Sequence, residues 1–334
     1  MSESMIIAVD AAGGDYYPKN PVVGALEALN ERDDLSVLLA GPESMILKEL
    51  EGRDYDEARL RVVDAPEVIT MKESPSSAVK GKRNSSIVAS LMLQKEGTCQ
   101  GFVSSGNTGA LLAASVLILG KLPGVLRPTI ATSFPTLKGN RLLLDAGANL
   151  EVKPEIFLQF AKMGTIYCRD ILGVDHPTVG LMNVGEEEEK GTELLKETYP
   201  LLKQLPNFIG NIEGRDIFPA RSDIFLCDGM VGNILLKFGE SIPESVQAML
   251  AASMEKMDVT PEIRTALSEL IQTTLDSFNY ENVGGVPFLG VNGVSLVGHG
   301  GSSPRAIKNM ILQAARFVDV SVNQKIVDSL NGPA

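Results

Sequence analysis

Tryptophan is absent from the 334 residues, tyrosine and phenylalanine number only 6 and 11, and histidine occurs twice. So thin an aromatic supply argues against an aromatic-rich all-β core, while 32 glycines point to many tight turns between strands and helices. The three cysteines, Cys99, Cys168 and Cys227, are odd in number, far apart and without a Cys-x-x-Cys pair. They argue against a disulfide framework and a zinc site and fit a reducing cytoplasm. The first ten residues lack a basic segment followed by a long apolar one, so no signal peptide is expected, and no run reaches the roughly 18 apolar residues of a membrane span. A P-loop ending in Gly-Lys-Ser/Thr is missing, as is Gly-x-Gly-x-x-Gly after a strand, which disfavours a nucleotide kinase and a simple Rossmann dehydrogenase. Neither a nucleophile elbow nor a metal-ligand cluster can be picked out. A net charge of −12 argues against a nucleic-acid partner, because DNA and RNA binders usually display a basic face.

What is present is a repeating plan. Gly101–Ala110 (GFVSSGNTGA) reads as a short buried strand, a turn of small polar residues, and the start of a helix over the apolar run to Leu119. Gly106 and Gly109 permit close backbone approach, Ser104, Ser105, Asn107 and Thr108 carry donors, and the first helical amides lack intrahelical partners. Such a turn suits an anion, phosphate above all. Strands are expected at Met5–Asp10, Ser36–Ala40, Leu60–Asp64, Thr129–Phe134, Leu142–Asp145, Val179–Asn183, Phe208–Ile212, Ile224–Cys227 and Val294–Val297. The strand at Leu142 returns antiparallel after a hairpin turn at Pro135–Asn140. Helices are expected over Pro21–Asn30, Met45–Glu51, Ser85–Gln94, Pro154–Cys168 and Thr192–Gln204, with Ala65–Ser77 an irregular loop. The alternation predicts a doubly wound three-layer α/β/α sandwich on a mostly parallel sheet, as one unit over 1–334. Residues 241–278 break the rhythm: two amphipathic helices joined at Met257–Pro261 form an inserted hairpin, read as a subunit contact or a membrane-surface contact.

Five turns at strand ends combine glycine with Asn, Ser or Asp: Asp10–Asp15 with Gly13 and Gly14, Ser104–Gly109, Asn183–Glu186 with Gly185, Asp228–Asn233 with Gly229 and Gly232, and Gly298–Ser303 with His299, Ser302 and Ser303. In α/β sheets ligands bind at carboxyl ends of strands, so these turns are expected to line one shared cleft. Cations near the turns are Arg127, Lys190, Arg215, Lys237 and Arg305; Lys190 follows four glutamates before a helix, where the dipole does not favour it.

Taken together, these turns resemble the pattern of the bacterial acyl-carrier-protein:phosphate acyltransferase family of phospholipid synthesis. So do Arg127-Pro128, Gly147-Ala-Asn149, Asn183-x-Gly-Glu-Glu187, the stretch Asn207–Asp216 with Asn211 and Arg215, and Leu289–Gly293. Tyr16-Tyr17 depart from the His-Ala usual there, and His299-Gly-Gly carries an altered glycine. The resemblance implies transfer of a long-chain acyl group from a carrier-protein thioester to inorganic phosphate, without a cofactor or metal. It also implies a fold related to isocitrate and isopropylmalate dehydrogenases and phosphotransacetylases, and a homodimer. The protein would be cytoplasmic, peripheral to the inner face of the membrane, and would feed a membrane glycerol-3-phosphate acyltransferase. On this reading Ser105, Gly106, Asn107 and Thr108 hold phosphate with Lys190, while Asn233 and His299 steady the thioester oxygen. Direct attack by phosphate needs a cradle and oxyanion donors rather than a Ser or Cys. An acidic carrier protein would need a local basic patch, and Lys80-Gly-Lys-Arg83 is the candidate. A phosphotransacetylase acting on acyl-coenzyme A and a non-catalytic phosphate or acyl-ligand sensor are the alternatives.

Overall fold

The computed structural model describes residues 5–257, 260–275 and 284–331. Its frame is one eleven-stranded sheet. In chain order the strands are β1 (Met5–Asp10), β2 (Leu35–Gly41), β3 (Leu60–Asp64), β4 (Gly101–Ser104), β5 (Thr129–Thr136), β6 (Gly139–Leu144), β7 (Val179–Met182), β8 (Phe208–Ile212), β9 (Ile224–Leu226), β10 (Val286–Leu289) and β11 (Val294–Val297). Across the sheet they lie in the order β3-β2-β1-β4-β11-β10-β5-β6-β9-β7-β8. β1, β4, β7, β9 and β11 are apolar on both faces, as strands covered on both sides must be.

Strand sense divides this sheet. β3, β2, β1, β4 and β11 run parallel; β10 is antiparallel to both of its neighbours, β11 and β5, and β6 is antiparallel to β5, so the sense changes three times. From β6 onward, β9, β7 and β8 are again mutually parallel, but opposite in sense to β1 and β4. The carboxyl ends of the two halves therefore point to opposite edges.

Helices cover both faces, as the sandwich expectation requires. One face is closed by α1 (Lys19–Glu31), α2 (Glu43–Leu50), α6 (Pro154–Asp170), α7 (Glu193–Leu202), α10 (Pro304–Asp319) and α11 (Val322–Asn331), joined in a core that includes Val22, Ile46, Phe157, Phe160, Ile307 and Ile326. The other is closed by α3 (Pro75–Gly81), α4 (Ser86–Lys95) and α5 (Thr108–Ile118), with Ile87, Leu91, Phe102 and Leu111 buried between them and the sheet. Elements beyond the expected set are α3, inside the segment read partly as loop, and β10, α10 and α11. The α10 signal is strong: Ser303 caps it, Pro304 opens it, and Ile307, Met310, Ile311, Ala314 and Ala315 recur on one buried stripe.

The hairpin differs most from expectation. Its first helix does not start near Ser241; it begins at Gly229, next to a candidate site turn, and runs unbroken to Lys256 as α8. The second helix, α9, spans Pro261–Leu275, and positions 276–278 of the expected hairpin lie outside the described residues. Met249, Met257, Ile263 and Leu270 are exposed along it, while Met254 and Leu275 are buried. No described helix is long and apolar enough to cross a membrane.

Candidate active site

The five polar turns fall into two groups, because strand sense sends them to different edges. Those after β1, β4 and β11 lie together at one edge; those after β7 and β9, with the β6 turn at Asp145–Asn149, lie at the other. The single shared cleft expected from the sequence is replaced by two clusters. Lys190 is not at the edge that holds Ser105–Thr108, and Asn233 is not at the edge that holds His299.

At the first edge, Asp10 is buried and faces inward. It accepts a short bond (2.5 Å) from Ser104 Oγ and one from the Ala12 amide (3.0 Å), while Ser104 Oγ accepts from Gly106 N (2.9 Å). Burial pushes the Asp10 carboxyl pKa up, opposed by its hydrogen bonds to Ser104, Ser86 and the Ala12 and Gly13 amides. Asp10 thus ties β1 to β4 and is not a ligand for an anion. A Cβ on Gly13 would stand 2.4 Å from Asp10 Oδ2, which explains the glycine. Ser105 Oγ, also buried, donates to Gly13 O (3.2 Å), and the Asp15 amide donates to Gly300 O (2.8 Å). Asn107 caps α5 through the Ala110 amide (3.0 Å) and spends its Nδ2 on the carbonyls of Thr70, Met71 and Glu73. His299 accepts from the Gly301 amide at Nδ1 (3.1 Å), its carbonyl takes Ser302 Oγ (2.6 Å), and Ser303 caps α10. These side chains build the turns. What faces outward is backbone: Thr108 and Gly109 are exposed at the start of α5, where helical amides have no intrahelical partner.

A loop is buttressed over Asn107 by an ion pair, Lys82 Nζ to Glu73 Oε1 at 2.7 Å, and Lys82 also donates to Val68 O (2.6 Å). Lys82 is therefore committed internally, leaving Lys80 and Arg83 as the exposed charges of the expected docking patch. The Lys82 hydrogen bond, with that from the Thr70 amide, pulls the Glu73 pKa down to about 2 from 4.5. A depressed carboxylate pKa stabilises the fold above the unfolded value and loses that contribution as pH falls through the folded one. Melting curves of wild type and Glu73→Gln should accordingly differ most above pH 4.5 and converge as pH falls towards 2.

The second edge is built on Asp145, which is fully buried and accepts from the amides of Ile130 (3.2 Å), Gly147 (3.2 Å), Ala148 (3.0 Å) and Asn149 (2.7 Å) and from Asn149 Nδ2 (2.9 Å). Asn149 Nδ2 also reaches Pro128 O (2.8 Å), and Asn149 O accepts from Gly229 N (2.8 Å). The β5 entry, the β6 turn and the start of α8 are thereby locked together. Asp228 caps α8 through the Met230 and Val231 amides (2.9 and 2.8 Å). One turn on, Asn233 is exposed beside Gly147, whose hypothetical Cβ would lie 3.5 Å from Asn233 Oδ1.

Next to this, after β7, lies the loop 184–191. Asn183 Nδ2 donates to Lys190 O (3.0 Å) and Asn211 Nδ2 to Glu187 O (2.8 Å). Glu186 pairs with Arg221 (2.7 Å), which holds its carboxyl below the usual range, and more loosely with Arg215 (3.8 Å). Glu188 pairs with Lys203 (2.6 Å). Lys190, by contrast, is exposed and forms no ion pair among the described residues. Arg127 is also exposed, just before β5 at the same edge.

This edge offers outward donors, Lys190, Arg127 and Asn233, over inward-facing polar side chains that fix the turns. The Cys227 thiol does not face outward: it is buried against Asp145 O, and burial pushes its pKa well up. Among the described residues no cluster of His, Cys, Asp or Glu could hold a metal ion.

A sequence model described as "Fatty acid synthesis protein" matches residues 5–325. The phosphate acyltransferase of Chlorobaculum parvum is 46% identical over 98% of this chain and 99% of its own, and that of Salinibacter ruber 48% identical over 95% of each. The chain belongs to the phosphate acyltransferase family. It is an enzyme of that type, as the resemblance of its turns implied. A phosphotransacetylase from Streptococcus pyogenes shares the fold, with a TM-score of 0.61 at 16% identity, covering 96% of this chain and 95% of that one.

Within this phosphate acyltransferase, two features escaped the sequence reading. Asp145 looked like a strand end, although Asp-Ala-Gly-Ala-Asn repeats the strand–Asp–Gly pattern of Asp10 and could have marked it. Arg221, the partner of Glu186, had no local signal, since 35 residues separate them.

Proposed function

We propose that this phosphate acyltransferase moves a fatty acyl group from the thioester of acyl carrier protein to inorganic phosphate, giving an acyl phosphate for phospholipid synthesis. The observation that carries this reading is the second edge, where outward donors surround turns beneath which the Cys227 thiol is buried and held protonated. A phosphate oxygen attacks the thioester carbonyl carbon, the carbon–sulfur bond breaks, and the carrier leaves as thiolate, which takes up a proton. Lys190 holds and neutralises the phosphate, Arg127 assists, and Asn233 donates to the carbonyl oxygen as it becomes an oxyanion. At the other edge the Thr108 and Gly109 amides suit a second anion, the phosphodiester at the root of the carrier's acyl-bearing arm.

The exposed apolar residues of α8 and α9 support a homodimer contact and a peripheral seat on the inner membrane face, from which product would pass to a membrane glycerol-3-phosphate acyltransferase. The shared fold with a phosphotransacetylase favours one second reading, acyl-coenzyme A as donor.

The test mixes purified protein with labelled phosphate and either palmitoyl carrier protein or palmitoyl-coenzyme A, then traps acyl phosphate with hydroxylamine. Label trapped from the carrier thioester supports the proposal. Label trapped only from coenzyme A moves the enzyme to the second reading, and none from either overturns both donors.

A further inference from the structure

Four glutamates immediately precede Lys190, yet none takes its ammonium. Two are occupied by other cations, Glu186 by Arg221 and Glu188 by Lys203. The loop itself is tied to the sheet from below at two carbonyls, Lys190 O by Asn183 and Glu187 O by Asn211. Asn211 is the unusual member. It is 2% exposed on β8, and its Oδ1 is buried without a donor among the described residues, a condition that is destabilising in a protein interior. An apolar side chain of the same shape would avoid that cost, so packing does not account for an amide here; the bond from Nδ2 to Glu187 O does.

We propose that Asn211 is a positioning residue for the reaction: through Glu187 O it holds the 187–190 turn at the height where the Lys190 ammonium meets phosphate. Asn183 fixes the far end of the same turn, and the Glu186 and Glu188 ion pairs keep the cation free. The inference rests on the role given to Lys190 above.

The experiment places Asn211→Leu in the wild-type and Lys190→Met backgrounds and measures kcat, KM for phosphate and melting temperature. In wild type, Asn211→Leu should lower kcat about fivefold or more with the melting temperature unchanged or raised, since the unpaired acceptor goes with the bond. In the Lys190→Met background it should change kcat by less than about twofold, because the cation it positions is gone. Asn211→Ala, which removes donor and acceptor together without adding bulk or charge, should repeat the kinetic result and replaces the leucine variant if that fails to fold. Equal losses of kcat in both backgrounds, or a change in melting temperature alone, would overturn the positioning role while leaving that of Lys190 intact. A Lys190→Met enzyme with normal turnover would instead remove Lys190, and Asn211 with it.

Discussion

Lys190→Met should lower turnover with phosphate by about 100-fold, the loss expected when one preorganised charge is taken from a group whose charge changes during reaction. The melting temperature should stay where it is, because Lys190 is exposed and its side chain holds nothing else in place. Its carbonyl, the part that Asn183 binds, survives the substitution. Phosphate titrations separate two forms of this effect. A rise in KM alone would mean that Lys190 only gathers phosphate, whereas a fall in kcat places it on the charge that develops in the transition state. Restoring a cation with Lys190→Arg should return part of the rate. Turnover unchanged in the methionine variant would take Lys190 out of the chemistry.

Gly232→Ala should be among the most damaging single-methyl additions in the protein. The added Cβ would stand 1.8 Å from the carbonyl oxygen of Asp145 and 3.1 Å from Cys227 Sγ. A backbone oxygen at the root of an amide cage cannot step aside as a flexible side chain would, so α8 must lift away from the β6 turn. That displacement should cost at least about 3 kcal/mol. It should also abolish transfer, since Asn233 rides on the same helical turn. Denaturant unfolding compared with Gly81→Ala, another helical glycine where nothing lies within 4 Å, isolates the steric effect from that of losing a glycine. A melting curve like that of wild type would show that the start of α8 is far more compliant than its packing indicates.

The strands were legible because doubly covered strands write themselves as short apolar runs ended by Asp, Asn or Gly, and β1, β7 and β11 follow that rule closely. The site turns were legible for the same reason. What sequence could not convey was strand sense beyond neighbouring pairs. Three antiparallel pairings, β10 with β11, β10 with β5 and β5 with β6, turn one expected cleft into two edges; the β5–β6 hairpin was legible locally, but the pairing of Leu289 with Thr129 joins segments far apart in the chain. Nor does a sequence tell whether a polar side chain points in or out. Asp10, Asn107, Asn149, Asn183, Asn211 and Asp228 have the composition of ligand-binding residues, and the structure commits their polar groups to backbone groups of their own turns and neighbouring loops. Lys190 and Asn233 have no such commitment, which is visible only once the partners of the others are known.

The uninterrupted course of α8 has a mechanical side. With 28 residues at about 1.5 Å each, it is a rod of about 42 Å carrying Asn233 near one end and exposed Met249 at the other. Gly239 is pressed against the Phe134 ring, and four residues later Pro243 removes the amide that would have bonded back to Gly239. The rod is thus seated on the sheet at Gly239 and weakened just beyond it, like a lever with its fulcrum beside its softest joint. Force applied to the free arm is relieved at that joint before it reaches the turn that carries Asn233.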